Sequence, residues 1–252
     1  HLEGMGAEKS EERALESWKT AGEQDDAAAL NQLGLYSMSS RGGARIDDAK
    51  KWFQKAGELG YAEAQVNVGE ILDVKDADSV DLRSAREWHS KAAAQGHPKG
   101  QHRLGKMLVF GKGGSEDAAE GVKLYRSALR SATDQTLQEA LNSLAFACNQ
   151  GLGVKRDAKE AAKHLKSAAD LGLALAQYNL GVFIVKEQDN YPEAVKWFLL
   201  AGKQGYGAAS NVLGDCYASG SGVKKNLDEA EKWYLAAVQQ GVDKATDGLD
   251  RV

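Results

Sequence analysis

Residues 209–241 read ASNVLGDCYASGSGVKKNLDEAEKWYLAAVQQG, and this stretch decides the fold. Ala209, Leu213 and Tyr217 recur every four residues, which places one apolar stripe along a helix. Gly214, beside the stripe, leaves room for a neighbouring helix to come close. Gly220 supplies the left-handed backbone that ends the helix, because only glycine adopts it without a Cβ clash. Val223 tucks into the turn, and Asn226 is placed to cap a second helix by accepting a backbone N–H. Ala230, Trp233 and Ala237 then mark a second stripe, which closes at Gly241. The stretch predicts a helix–turn–helix hairpin.

The same hairpin is written along the rest of the chain. An Ala three residues before a Trp and another four after it occur as Ala49–Trp52–Ala56, Ala85–Trp88–Ala92, Ala194–Trp197–Ala201 and Ala230–Trp233–Ala237. Gly121–Leu124–Ala128 and Ala161–His164–Ala168 are weaker copies. From 49, the phases 85, 121, 161, 194 and 230 follow at intervals of 36, 36, 40, 33 and 36. A second marker is the aliphatic stripe residue at 33, 68, 104, 144, 180 and 213, spaced 35, 36, 40, 36 and 33 apart. Two independent markers keep one period, the signature of a repeat array. One hairpin cannot bury its own stripes, and stacking buries them against neighbours. The expected fold is therefore all-α, an α/α solenoid of about six helix-turn-helix repeats with roughly three quarters of the chain helical, far above the globular base rate.

Residues 209–241 resemble the Sel-1-like repeat, a relative of the tetratricopeptide repeat, through Ala209, Leu213, Gly214, Tyr217, Gly220, Gly222, Val223, Ala230, Trp233, Ala236, Ala237 and Gly241. The resemblance extends over about residues 27–250. It implies a right-handed superhelix of helix pairs and a role as an adaptor or regulator that binds other proteins. It also implies a runner-up role, since some bacterial members are secreted and meet host proteins.

The period sets the expected domain plan. Residues 1–6 read as an expression scar and start, with His1–Leu2–Glu3–Gly4 the scar itself. Residues 7–26, with Trp18, read as an N-terminal capping helix. Residues 27–252 form the array, with repeats at about 27–61, 62–97, 98–135, 136–173, 174–206 and 207–242 and a partial seventh at 243–252. Ala7–Glu16 is charged rather than apolar, so no leader is expected there. A cytoplasmic location fits this, and an export signal upstream would place the same array in the periplasm or outside the cell. If Ala245–Leu249 leaves a stripe open, end-to-end self-association follows.

Composition excludes several classes. Apolar residues are 42% and charged residues 27%, which is a folded, non-membrane balance, and no run of about 18 apolar residues offers a span. Lys and Arg number 32 against 36 Asp and Glu, giving −4, without the basic excess that neutralises phosphates, so no nucleic acid is expected as partner. Two cysteines, Cys148 and Cys216, fall on the stripe side of first helices and are expected as small packed residues. Paired cysteines of the kind some Sel-1-like proteins carry are missing.

Candidate chemistry does not rise above the repeat. Asp73, Asp76, Asp78 and Asp81 invite a calcium loop, yet the central Gly and distal Glu of an EF-hand are missing, and a solvated turn is expected. Gly111–Lys–Gly113–Gly114–Ser115 has no preceding strand and no Lys-Ser/Thr pair, so it is a turn rather than a phosphate cradle. No two histidines stand i,i+4 around a helical Glu, and no metal, cofactor or catalytic residue is expected. Thr136–Leu–Gln–Glu139 reads as a capping box after the four extra residues near 131–136. Pro192 at the start of a helix fits the shortened fifth repeat.

Function is expected on the surface of the first helices. Two residues before each stripe lie Asn31, Val66, His102, Asn142, Tyr178 and Asn211, placed on the concave side of the stack. Two residues after it, Lys106, Phe146 and Asp215 join them. Asparagine donates and accepts together and can clamp a peptide backbone, while Tyr178 and Phe146 add apolar anchoring. The expected function is a non-enzymatic scaffold holding a peptide or protein partner there. The alternatives are a secreted or periplasmic factor contacting host proteins or envelope components, and a saccharide-binding or hydrolytic protein.

Overall fold

A computed structural model of the protein describes residues 2–39, 45–74 and 77–252, the side chains of 2–9 and of 134 apart. Among the described residues about 75% are helical and none are in strands. The chain divides into two compact units, His1–Ala132 and Thr133–Val252. The first holds α1 (Leu2–Glu23) followed by three hairpins: α2 (Ala27–Met38) with α3 (Ile46–Glu58), α4 (Ala62–Leu72) with α5 (Ser79–Ala94), and α6 (Pro98–Val109) with α7 (Ala118–Ala128). The second holds α8 (Asp134–Gln150) with α9 (Ala158–Asp170), α10 (Ala174–Gln188) with α11 (Tyr191–Lys203), α12 (Gly207–Ser219) with α13 (Leu227–Gln239), and the short α14 (Ala245–Leu249).

Short polar side chains start the second helices. Asp78, Asp117, Asp157, Asn190 and Asn226 each accept a backbone N–H from the first turn of α5, α7, α9, α11 and α13. Each such cap is worth about 1 kcal/mol. Glycines at positive φ stop α3, α5, α9, α11 and α13: Gly60 at 93°, Gly96 at 78°, Gly172 at 95°, Gly205 at 84° and Gly241 at 79°. The residue after each glycine donates its N–H to the repeat alanine, as Tyr61 does to Ala56 at 3.1 Å and Val242 to Ala237 at 3.0 Å. The conserved-looking spacing of Ala and Gly within the chain thus satisfies an orphan carbonyl at the helix end.

The core is built on ring-on-glycine seats. Phe53 lies on Gly34, His89 on Gly69, Tyr125 on Gly105, Phe198 on Gly181 and Tyr234 on Gly214. A Cβ at Gly34 or Gly181 would fall 2.4 or 2.5 Å from a ring carbon, so the first helix must carry glycine there. Repeat four differs on both sides of the contact, with Ala145 in place of glycine and Leu165 in place of the ring, and both are buried. Burying a ring of this size contributes about 1.5–3 kcal/mol. The tryptophans that set the phase are only half-buried. They reach instead to the preceding repeat: Trp88 lies 2.9 Å from a Cβ placed on Gly57, and Trp233 does the same at Gly202.

Polar side chains tie consecutive repeats. Gln65 donates to the Gly57 carbonyl at 2.9 Å and accepts from Gln95 at 2.9 Å. Gln177 repeats this with Ala169 at 3.2 Å and Gln204 at 2.8 Å. Asn67 donates to Asn31, and Asn179 to Asn142, each at 2.9 Å. In the first unit Glu70 adds an ionic tie, 2.8 Å from both Lys99 and Arg103. Burial alone would raise the Glu70 pKa, but the two cations outweigh it and hold the carboxyl below its ordinary value.

Three local expectations meet the structure as follows. α8 begins at Asp134 with Thr133 at its N-cap, so Thr136 lies inside the helix and Thr136–Glu139 is not a capping box. The four additional residues lengthen the first helix, and α8 reaches 17 residues. The glycine loop of repeat three packs on its neighbour, where a Cβ at Gly113 would meet the Leu82 carbonyl oxygen at 2.2 Å. Of the Asp73–Asp81 turn, Asp78 caps α5 and Asp73 pairs with Lys112 at 2.9 Å, while Lys75 and Asp76 lie outside the described residues, as does His1.

Candidate functional site

The residues expected on the first-helix face separate sharply by burial. Asn31, Val66 and His102 are 0%, 1% and 2% exposed, so a partner cannot touch them. This corrects the expectation that all positions two before the stripe reach solvent. α2, α4 and α6 are each packed by the second helix of their own repeat and by the helix before them, α1, α3 or α5. Asn31 is covered by Asn67, and His102 lies against the Tyr125 ring at 5.7 Å. Burial holds the His102 pKa down to about 3, so it stays neutral.

Lys106 is exposed on α6 in the first unit. In the second unit Asn142, Tyr178 and Asn211 are half-buried, and Phe146 and Asp215 are exposed. Asp215 accepts from the Tyr234 hydroxyl at 2.8 Å, which ties it to the last ring seat. Tyr178 stacks at 5.2 Å on Tyr206 and 5.9 Å from Phe198, forming an aromatic step between α10 and α12.

α8 and α10 also bound a cavity of about 170 Å³, whose walls include Asn142, Phe146, Asn149, Asn179, Val182 and Lys186. Two expected residues, Asn142 and Phe146, meet here with neighbours that the spacing did not single out. Asn142 Oδ1 is engaged by Asn179, which leaves its two N–H donors facing outward bonds. Asn179 keeps its own carbonyl oxygen free to accept. The buried Oδ1 of Asn149 has no hydrogen-bond partner. Glu187 at the rim is held by Arg156 at 3.1 Å. Amide donors and acceptors beside Phe146 and Val182 suit an extended main chain with an apolar side chain.

Catalytic chemistry finds little footing. Cys148 and Cys216 are buried, and burial pushes the Cys216 thiol up to about 11, away from nucleophilic use. Among the described residues no three His, Cys, Asp or Glu side chains gather as a metal would need, and no helix is long and apolar enough to cross a membrane. Sequence reading missed His89, which is fully buried with both ring nitrogens unpartnered. The missed signal was position: His89 follows Trp88 as Phe53 follows Trp52.

The Sel1 repeat family matches residues 27–61, 62–97, 98–131, 138–173, 174–206 and 207–242. Among solved structures, the chain is similar to c5321, a protective antigen present in uropathogenic Escherichia coli strains, with 27% identity and a TM-score of 0.75 over 93% of this chain and 50% of that one. It is similar to a Sel1 repeat protein from Oxalobacter formigenes with 26% identity and a TM-score of 0.70, covering 87% and 86% of the two chains. A curated relative, DAP3-binding cell death enhancer 1 of Rattus norvegicus, is 47% identical over 64 residues. That match spans 25% of this chain and 13% of the rat protein.

Proposed function

Because the chain belongs to the Sel1 repeat family, we propose that it is a non-enzymatic scaffold that holds a protein partner on the first helices of residues 133–252. Sel1 repeats generally serve as protein-interaction scaffolds. The observation that carries the reading is the juxtaposition of Phe146, which is 44% exposed, with the amide-walled cavity between α8 and α10. An exposed ring beside side-chain amides is the arrangement of an interface anchor with a polar rim. A partner segment would lay an apolar side chain on Phe146 and Val182 and bond its backbone to Asn142 and Asn179. Asn211 and the Tyr178–Tyr206 step continue that surface over α12.

The test is affinity capture from the native organism with the wild-type chain and with Phe146→Ala/Asn211→Ala, followed by mass spectrometry. Neither substitution touches a ring seat, so the melting temperature stays unchanged. A partner captured by the wild type and lost by the variant is expected. The same partners captured by both would overturn the reading. A role outside the cell, contacting host proteins, is a second reading favoured by the likeness to the E. coli protective antigen. An export signal in the full-length gene would support it, and cytoplasmic fractionation of the native protein would remove it.

A further inference from the structure

A separate cleft lies in the first unit, where α1, α2 and α3 enclose about 520 Å³. That size is within the range of specific ligand sites, roughly 300–1,000 Å³. Its apolar wall includes Leu15, Tyr36 and Trp52, and its cations include Lys19, Arg45 and Lys51. The cleft has a physical origin in the repeat. Trp88 and Trp233 close onto a glycine five residues after the preceding tryptophan phase, Gly57 and Gly202. The equivalent position after Trp18 is Glu23, an exposed residue, so no glycine seat stands there. Trp52, half-buried like the other phase tryptophans, lines this open space.

The charge at this cleft is one-sided. Lys55 is paired with Asp25 at 2.8 Å, while Arg45 and Lys51 share Asp48 at 3.5 and 3.8 Å. Among the described residues Lys19 makes no ion pair. The cleft lining thus holds the cations Lys19, Arg45, Lys51 and Lys55 with the carboxylate Asp48, beside a Trp and a Tyr. We propose that this cleft receives an extended segment of a partner protein in which Asp or Glu alternates with large apolar side chains. Apolar side chains pack on Trp52, Tyr36 and Leu15, and the carboxylates reach Lys19, Arg45 and Lys51. Pairing of opposite charge around an aromatic anchor supplies both on-rate and register. The site is independent of the α8–α10 face, and either can fail without the other.

The test selects dodecapeptides from a phage-displayed random library on the full chain, then measures fluorescein-labelled synthetic copies by anisotropy. Peptides rich in Asp or Glu with Leu, Phe or Trp are expected. Their affinity should fall at least tenfold in K19E/K51E, fall on raising NaCl from 100 to 500 mM, and stand unchanged in Phe146→Ala. Both lysines are exposed, and a circular dichroism melt of K19E/K51E, with K19Q/K51Q as a milder second variant, verifies the fold. Neutral or basic peptides, no enrichment at all, or binding that survives K19E/K51E would overturn the proposal. Peptides lost only in Phe146→Ala would overturn it while supporting the other face. Binding of a fluorescent dT20 oligonucleotide with the same lysine dependence would assign the cleft to nucleic acid and overturn it too.

Discussion

Replacing His89 by Phe should stabilise the protein, and by more at pH 5 than at pH 7.4. His89 occupies the ring seat that Phe53 and Phe198 fill in other repeats, and its ring edge lies 2.4 Å from a Cβ placed on Gly69, against 2.4 and 2.5 Å for the two phenylalanines. The seat thus already has the form that accepts Phe. Both His89 nitrogens are buried without a partner, at a cost of roughly 1–3 kcal/mol for each unsatisfied group. The larger ring brings back about 1 kcal/mol of overpacking. A net gain of about 2 kcal/mol at pH 7.4 follows, or ~4–8 °C in melting temperature for a chain of this size. Burial holds the His89 pKa down to about 4, from an ordinary value of 6.5. The folded form stays neutral while the unfolded chain takes up a proton below 6.5. Wild-type stability is therefore intact above pH 6.5 and is lost progressively as pH falls toward 4. At pH 5 this linkage is worth about 2 kcal/mol, so the advantage of His89→Phe widens to about 4 kcal/mol. Urea unfolding followed by circular dichroism at the two pH values reads both numbers. A variant less stable than wild type at pH 7.4, or a gap that does not change with pH, would refute the reasoning.

Other substitutions probe the same architecture. Gly181→Ala should cost about 2 kcal/mol by pressing a Cβ onto Phe198, and Phe198→Leu in the same chain should recover part of that, as Ala145 and Leu165 coexist in repeat four; a double-mutant cycle in urea measures the coupling. Asn179→Ala removes the 2.9 Å bond to Asn142 and should lower stability by about 1 kcal/mol, read as a shift in urea midpoint at constant slope. Gly222→Ala should be more damaging, about 3 kcal/mol, because its φ is 75° and a Cβ would meet the Tyr191 carbonyl oxygen at 2.6 Å; a thermal melt tests it.

Much of the hairpin was legible because glycine and alanine act locally. The stops at Gly60, Gly96, Gly172, Gly205 and Gly241 and the caps at Asp157 and Asn226 follow from backbone chemistry that a single sequence displays. The ring seats were less visible. Tryptophan is the more conspicuous residue, yet Trp88 and Trp233 serve the neighbouring repeat, and the core ring is the next residue. A histidine in that place reads as polar, although its surroundings bury it. The binding face was harder still. Position two before the stripe is buried at Asn31, Val66 and His102 but half-open at Asn142, Tyr178 and Asn211. Helical phase alone cannot separate these, because burial depends on which side chain the next repeat lays over the position, as Asn67 does over Asn31.

Each ring seat joins the two helices of one hairpin, with Tyr234 of the last also packing on Gly248, whereas the tryptophan and glutamine contacts cross to the neighbour. A hairpin excised between two of its left-handed glycines would take its ring seat with it and leave the flanking pair to meet through the same Trp-to-Gly and Gln-to-carbonyl joints, which would bury its stripes again wherever it was reinserted. Such a cassette can be duplicated, lost or exchanged by recombination in whole periods, so the length of the array is free to drift while its joints stay compatible.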